Sequence, residues 1–242
     1  MPDSTPRPVM LVILDGWGLR DAVADNAVHQ AKTPVFDALM QAHPRAQLKT
    51  FGADVGLPEG QMGNSEVGHL NIGAGRVVLQ DLPRIDAAVT DGSLARNPAL
   101  IRFIEALRAS GGTCHLVGLL SPGGVHAHQD HAVALARALT TAGIPVRLHG
   151  FTDGRDMPPR SAAACIADVE AALPKGARIA TLCGRYFGMD RDRRWERVQR
   201  AYDALTEARG TRFERAGQAV AASYAQDVSD EFMQPAIIGD YA

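Results

Sequence analysis

Ser65 lies in a stretch whose residue types could support nucleophilic catalysis. Residues 63–69 read GNSEVGH, so an amide and an acid flank the hydroxyl and an imidazole follows. The glycines allow backbone and ligand to approach closely, but a serine hydroxyl attacks only when a base or a metal ion activates it. A polar, glycine-rich turn is the alternative interpretation. The stretch does not match the Gly-x-Ser-x-Gly elbow of hydrolases, so the activating group must come from elsewhere.

Asp15 is a candidate metal ligand because of what precedes it. Residues 9–14 form the continuous apolar run VMLVIL, and Gly16 follows Asp15. A short unbroken apolar run that ends at a turn predicts a buried parallel strand. Open α/β sheets bind ligands beyond the carboxyl ends of their strands, which is where Asp15 would lie. An Asx turn into the next segment is the alternative.

The region after residue 98 predicts a regular alternation of strands and helices. Apolar runs predict strands over residues 115–120, 146–151 and 178–183. Helical spacing of apolar residues predicts helices over 129–142, over 161–173 and around 195–205. This order predicts parallel βαβ units with right-handed crossovers, and therefore an α/β fold.

Polar clusters follow each of these three predicted strands. Because parallel strands end at one edge of a sheet, the clusters should meet there and form a pocket. Guanidinium groups bind phosphate and carboxylate in bidentate fashion, so the pocket favours a small anion with several charges. The candidate binding residues are His126, Arg155, Asp156, Arg185 and Arg191.

Residues 126–131 read HAHQDH, which supports a competing hypothesis. This pattern is the dinuclear zinc signature of metallo-β-lactamase-like hydrolases, and such a site takes further histidines from downstream. Here the only later histidine is His149. The segment would therefore be short of ligands, and His128 and His131 are predicted to start a helix or to pack.

The composition excludes several classes of protein. The chain has 242 residues, is 46% hydrophobic and 21% charged, and carries a formal net charge of −2. These values describe an ordinary globular protein with no general nucleic-acid surface. Its three cysteines show no paired spacing, which favours reduced thiols in the cytoplasm. The sequence shows no signal-peptide pattern, so export is not predicted. It has no apolar run of about 20 residues, so a membrane span is not predicted.

Together these segments resemble the 2,3-bisphosphoglycerate-independent (cofactor-independent) phosphoglycerate mutases of the alkaline phosphatase superfamily. The resemblance covers nearly the whole chain in family order, with five matching segments: residues 14–18, 64–69, 123–128, 153–156 and 184–195. It implies an α/β fold in which an alkaline-phosphatase-like domain, present only in part, receives an inserted phosphotransferase domain of parallel βαβ units. The expected domains are residues 1–78 and 79–242.

The resemblance also implies a role for each candidate residue. Asp15 and Ser65 would bind two divalent metal ions, most often manganese, and Ser65 would take the phosphoryl group. His126, Arg155, Asp156, Arg185 and Arg191 would bind phosphoglycerate, and Asp156 could also move a proton. The implied reaction interconverts 3-phosphoglycerate and 2-phosphoglycerate through a phosphoserine, in a cytoplasmic protein that is monomeric when complete. No nucleic-acid or membrane partner is expected.

The chain departs from the family in length, since members are about twice as long. The remaining metal ligands are expected to be absent, because no histidine follows His149. Residues 1–78 would lack neighbouring strands and expose unpaired sheet edges. We therefore expect this N-terminal half alone to be poorly soluble and inactive.

Two other functions stay open at this point. A metal-dependent phosphatase or phosphopentomutase of the same superfamily would use the same nucleophile. A non-catalytic fragment that only binds anions would bind phosphoglycerate without metal and without phosphorylation of Ser65.

Overall fold

The computed structural model describes residues 7–242, which form two compact units that divide between Leu79 and Gln80. This division lies beside the boundary that the sequence predicts between residues 78 and 79. The assignment of the two units to a phosphatase-like and a phosphotransferase domain is an interpretation carried by the family resemblance. No helix in the described part of the chain is both long and apolar enough to span a bilayer.

The first unit is built from short helices around a small core. Its α-helices are α1 (Ala27–Gln30), α2 (Pro34–Ala42) and α3 (Ser65–Ala74), with a 3₁₀-helix at Gly52–Val55. Pro34 occupies the first turn of α2, where its missing N–H costs nothing. A cluster of three buried side chains, Val55, Leu57 and Val67, holds α3 against the 3₁₀-helix.

The strand predicted over residues 9–14 is wrong for this structure. In the described part of the chain the segment is neither strand nor helix and belongs to no sheet. Its side chains are exposed, from 96% for Val9 down to 42% for Ile13. An apolar run shows that a segment needs burial, but a strand forms only where a neighbouring backbone supplies hydrogen bonds.

The second unit contains a five-stranded sheet in the order β1-β2-β3-β5-β4. The strands are β1 (Cys114–Leu119), β2 (Val146–Thr152), β3 (Ala177–Gly184), β4 (Thr211–Phe213) and β5 (Ala236–Ile238). The first three are parallel, as predicted, and the α/β class is confirmed. The sheet is nevertheless mixed, because β5 runs antiparallel to β3.

The direction of β5 follows from the path of the chain before it. A 3₁₀-helix at Asp230–Phe232 brings the chain to the carboxyl end of β3, where Gly184 N donates to Met233 O at 2.7 Å. The chain then runs back along β3, pairing Ala236 with Leu182 and Ile237 with Thr181. β4 pairs with β5 in parallel and forms the sheet edge.

Helices of the second unit include α4 (Asp81–Thr90), α5 (Pro98–Ser110), α6 (Gln129–Thr141), α7 (Ala162–Ala172), α8 (Arg185–Gly188), α9 (Trp195–Glu207) and α10 (Ala216–Ala225). Leu148 and Leu182 of the sheet pack with Ile166 of α7 and Val220 of α10 in the largest core cluster. A second cluster joins α5, α6, β1 and β2 around Ile104, Leu139 and Val146.

The strand register sets the position of the loops that follow. Leu119 of β1 pairs with Phe151 of β2, and Phe151 pairs with Cys183 of β3. The three parallel strands therefore end at the same level of the sheet. The polar loops after them begin side by side, which is the arrangement that the sequence predicts.

Candidate active site

Arg185 lies at the centre of the polar edge of the sheet. It begins α8 directly after β3, and its side chain is only 5% exposed. Its Nη1 donates to Asp153 Oδ1 at 2.7 Å and to Asp156 Oδ2 at 2.6 Å. Burial alone lowers the pKa of Arg185, but the hydrogen bonds to the two carboxylates outweigh it and raise the pKa above its ordinary value. The guanidinium is therefore a fixed positive charge.

Asp153 anchors this arrangement, and sequence reasoning did not single it out as a site residue. Its carboxylate is 2% exposed and accepts hydrogen bonds from Ser121 Oγ at 2.7 Å and from Asp156 N at 3.0 Å. Burial alone raises the pKa of Asp153, but the hydrogen bonds from Ser121, Asp156 N, Arg185 and Arg155 N hold it below its ordinary value. The signal that could have found it is its place as the first residue after β2, in the motif that supplies Asp156.

His126 and Arg191 complete a connected group of polar side chains. His126 Nε2 lies 3.6 Å from Asp156 Oδ2 and 3.3 Å from Arg191 Nη2. Arg191 is exposed and His126 is about one-third exposed. The structure thus brings together four of the five predicted binding residues: His126, Asp156, Arg185 and Arg191.

Arg155 is the exception. Its side chain is 66% exposed, and its Nη1 lies 3.6 Å from Glu231 Oε1, just before the chain enters β5. Only its backbone N–H joins the group, through a 3.2 Å hydrogen bond to Asp153 Oδ1. The local sequence gives no sign of this long-range ion pair.

Two glycines let the segment around Glu231 lie against the loops of the site. A Cβ at Gly154 would fall 2.7 Å from Glu231 N, and Gly154 has a φ of +72°. A Cβ at Gly184 would fall 2.1 Å from Glu231 O. Any side chain at these positions would push the Glu231 segment away from the ends of β2 and β3.

Ser65 is the first residue of α3, whereas the sequence predicted no helix here and a glycine-rich turn was the alternative interpretation. Asn64 caps the helix by accepting from Val67 N at 3.0 Å. The Ser65 hydroxyl donates to Asp15 Oδ2 at 2.6 Å. Asn64 followed by Glu66 in the first turn is the N-cap signal that could have predicted this helix.

His69 does not act as a base towards Ser65 in this arrangement. His69 Nδ1 lies 2.8 Å from Ser65 O and 3.3 Å from Ser65 Oγ. A carbonyl oxygen only accepts, so the shorter contact requires the proton on Nδ1. Asp15 is therefore the group that accepts the hydrogen bond of the Ser65 hydroxyl.

The side chains of Asp15 and Ser65 match part of a metal site. A carboxylate oxygen and a hydroxyl oxygen 2.6 Å apart are suitable ligands for a hard divalent cation. Among residues 7–242, however, no group of three or more His, Cys, Asp or Glu side chains could hold a metal ion. The described residues thus offer two ligands and not a complete coordination shell.

The histidines of residues 126–131 have structural partners. His128 is the N-cap of α6, where its Nδ1 accepts from Asp130 N at 3.3 Å, and His131 Nε2 contacts Asp86 Oδ1 of α4 at 2.6 Å. The predicted helix-start and packing roles are confirmed. The zinc hypothesis has no support in the described part of the chain.

Comparison with known proteins identifies the family of this chain. The sequence model of a family described as the BPG-independent PGAM N-terminus matches residues 85–242. Proteins named 2,3-bisphosphoglycerate-independent phosphoglycerate mutase are 62% identical in Gluconobacter oxydans, over 99% of this chain, and 62% identical in Rhodopseudomonas palustris, over 97%. Each alignment covers 47% of the relative, so the chain spans about half the length of the curated relatives it matches.

A solved structure supports the same assignment. A Leishmania mexicana phosphoglycerate mutase, described as crystallised at low cobalt concentration, superposes with a TM-score of 0.70 at 35% identity. The match covers 87% of this chain and 41% of that one. On these grounds the chain belongs to the family of 2,3-bisphosphoglycerate-independent phosphoglycerate mutases.

Proposed function

We propose that this chain supplies the phosphoglycerate-binding loops and the phosphoryl-accepting serine of a mutase that interconverts 3-phosphoglycerate and 2-phosphoglycerate. The observation that carries the proposal is the connected group of His126, Asp156, Arg185 and Arg191, with contacts of 2.6–3.6 Å, in a member of this family. A cluster of cationic side chains beside a carboxylate suits a ligand that carries a phosphate, a carboxylate and hydroxyls.

The exposed cations are suited to hold the charges of the substrate. Arg191 and Arg155 are exposed, so both can reach an incoming phosphate or carboxylate. His126 lies beside Asp156 and can donate to the same anion when its Nε2 is protonated. Asp156 is the acceptor for a glycerate hydroxyl and carries its proton during the reaction.

The proposed reaction consists of two successive phosphoryl transfers. In the first, Ser65 Oγ loses its proton and forms a bond to phosphorus while the bond from phosphorus to the 3-oxygen of phosphoglycerate breaks, and the 3-oxygen gains one proton in exchange. In the second, the 2-hydroxyl of glycerate loses its proton to Asp156 and forms a bond to phosphorus while the bond from phosphorus to Ser65 Oγ breaks, and Ser65 Oγ gains one proton, which restores its hydroxyl. Asp15 orients Ser65 for attack through their 2.6 Å hydrogen bond.

Asp15 and Ser65 are also the residues of this chain that we propose as metal ligands, with manganese as the ion. The chemistry that a bound divalent ion supplies is stabilisation of the ionised seryl oxygen. We also propose a cytoplasmic location, and a monomeric state for the complete protein. The three free cysteines, all buried, suit a reducing compartment.

The test is product analysis in a chimera. This chain would replace the matching 47% of the Gluconobacter oxydans relative, to which it is 62% identical. With manganese and 3-phosphoglycerate, ³¹P NMR should show 2-phosphoglycerate. Release of free phosphate as the main product would favour a phosphatase and contradict the mutase.

An anion-binding module without catalysis is the second candidate, and one observation favours it. Residues 7–242 offer Asp15 and Ser65 to a metal ion but no three-ligand group. This candidate predicts that the chain binds 3-phosphoglycerate with no metal present, and that the chimera never phosphorylates Ser65. Phosphorylated Ser65 in the chimera would exclude it.

A further inference from the structure

Asp153 has no role in the reaction as proposed above, yet it connects all three loops of the anion site. We propose that Asp153 is a positioning residue, which fixes the guanidinium of Arg185 so that Arg185 in turn holds Asp156 in place for the substrate. The inference deepens the proposed function and rests on it for the identity of the ligand.

One carboxylate joins the loops that follow three neighbouring strands. Asp153 Oδ2 accepts from Ser121 Oγ, in the loop after β1, at 2.7 Å. Asp153 Oδ1 accepts from Arg185 Nη1, directly after β3, at 2.7 Å. The same oxygen accepts from the backbone N–H groups of Arg155 at 3.2 Å and Asp156 at 3.0 Å, in its own loop.

The three arginines of the site therefore do different work. The side chain of Arg185 is 5% exposed, and its Nη1 is engaged by two carboxylates of the chain. Arg155 is 66% exposed and Arg191 is exposed, so these two are open to an incoming anion. Arg185 is thus held in place by the chain itself before a ligand binds, whereas the other two are free to turn towards the ligand.

Neutralising Asp153 should loosen Arg185. Charge-assisted hydrogen bonds are roughly twice as strong as neutral ones, so an asparagine would hold the guanidinium less firmly while keeping the shape of the side chain. A buried guanidinium whose partner is weakened gains by turning towards water. Asp156 would then lose the fixed donor that holds its Oδ2 at 2.6 Å.

Asp230 provides a matched control. It is as buried as Asp153, at 1% exposure, and it also accepts backbone hydrogen bonds, from Ser161 N at 2.8 Å and Ala162 N at 2.9 Å. Its side-chain partners include Tyr224 OH at 2.5 Å but no arginine of the site. Asp230→Asn therefore neutralises an equally buried carboxylate without touching the Arg185 contact.

The experiment uses the full 242-residue chain and two measurements. Labelling with phenylglyoxal, followed by mass spectrometry, reports access to Arg185 without any ligand. Calorimetric titration with 3-phosphoglycerate reports affinity. In Asp153→Asn we expect phenylglyoxal to label Arg185 at least fivefold faster than in the wild type. We also expect this variant to bind 3-phosphoglycerate about tenfold more weakly than the wild type does. Asp230→Asn should label Arg185 as the wild type does. Ser121→Ala removes only one donor to Asp153, so Arg185 should be labelled at an intermediate rate in this variant. Ser121→Ala replaces Asp153→Asn as the test if Asp153→Asn does not fold.

The labelling rates and affinities can support or overturn the positioning role of Asp153. Wild-type labelling of Arg185 in both Asp153→Asn and Ser121→Ala overturns it, as does faster labelling with unchanged affinity. A wild-type chain that binds no 3-phosphoglycerate contradicts the proposed function, while the labelling rates still decide whether Asp153 fixes Arg185. A role limited to stability would lower the thermal midpoint in Asp153→Asn and Asp230→Asn alike and leave Arg185 protected in both.

Discussion

The hydroxyl of Ser65 donates a 2.6 Å hydrogen bond to the carboxylate of Asp15, which lies 50 positions earlier in the chain. Both side chains are exposed, so the hydrogen bond is not explained by burial of polar groups in a core. The N-cap at Asn64 fixes Ser65 at the start of α3, and Asp15 directly follows the apolar run of residues 9–14. The first unit therefore presents a hydroxyl and a carboxylate together on its surface, where we propose that they act as phosphoryl acceptor and metal ligand.

The isolated chain should have no mutase activity. The metal ligands proposed among residues 7–242 are Asp15 and Ser65, and these residues contain no group of three, so a divalent ion should bind too weakly to activate the hydroxyl. The measurement is formation of 2-phosphoglycerate from 3-phosphoglycerate with manganese present, and we expect turnover only in the chimera with the Gluconobacter oxydans relative. Turnover by the isolated chain would refute this prediction.

Arg191→Ala should weaken binding of 3-phosphoglycerate to the 242-residue chain by about tenfold. A hydrogen bond to a charged group contributes about 1.5–3 kcal/mol, and the exposure of Arg191 places its effect at the low end of that range. Calorimetric titration measures the affinity.

Arg209→Ala is the control for Arg191. Arg209 is 70% exposed and pairs with Asp203 and Glu207 on the surface, away from the site loops. Equal losses of affinity in the two variants would show that general positive charge, and not the Arg191 contact with the ligand, attracts the anion.

The stability of the second unit should fall as the pH is lowered from about 6.5 to about 4. Burial, and then the positive charge of His115, lower the pKa of His149 to about 4. The unfolded chain, with a histidine pKa of about 6.5, binds more protons than the folded chain between these values, so the free energy of unfolding rises with pH across this window. The contribution of His149 is at most about 3 kcal/mol.

Urea denaturation followed by Trp195 fluorescence, in a Trp17→Phe background, measures this slope. His149→Gln should flatten the dependence of the free energy of unfolding on pH, because the variant removes the titrating group. It should also lower stability at every pH, because it loses the contacts of His149 to His115 at 2.8 Å and to Thr181 at 2.9 Å. His29→Gln, at an exposed position in α1, should leave the slope unchanged. The same slope with and without His149 would contradict the prediction.

The exposed apolar run should drive self-association of the chain. Val9 is 96% exposed and Leu11 is 69% exposed, in a segment with free backbone groups that can pair with another chain. Replacing both residues by Lys should shift the sedimentation profile towards monomer. Leu48→Lys, at a position 87% exposed outside the run, should have little effect. Unchanged association after the double substitution would assign the cause to another surface.

The local pattern of apolar and polar residues predicted the strands and helices of the second unit well, because these elements are regular. The predicted strand over 146–151 and the helix over 129–142 agree closely with Val146–Thr152 and Gln129–Thr141, since each apolar face packs on the next element. The pattern did not predict the antiparallel β5, because the direction of a short edge strand depends on the path of the preceding chain.

In the candidate site, too, local sequence motifs predicted some residues, while contacts between residues far apart in sequence were not predicted. The motifs identified Asp156 and Arg185 because both follow predicted strands. The pairing of Arg155 with Glu231 joins residues far apart in sequence and has no local pattern. Residues 9–14 were wrongly predicted as a strand for a related reason, since hydrophobicity does not say whether a neighbouring strand is present.

The central claim is that Ser65 carries the phosphoryl group between the two positions of glycerate. The most direct measurement is peptide mass spectrometry of the chimera, quenched in acid during turnover with 3-phosphoglycerate and manganese. We expect phosphate on Ser65, and none on any residue after Ser65→Ala, while 3-phosphoglycerate affinity stays within about twofold. Sustained formation of 2-phosphoglycerate by the Ser65→Ala chimera would contradict the account.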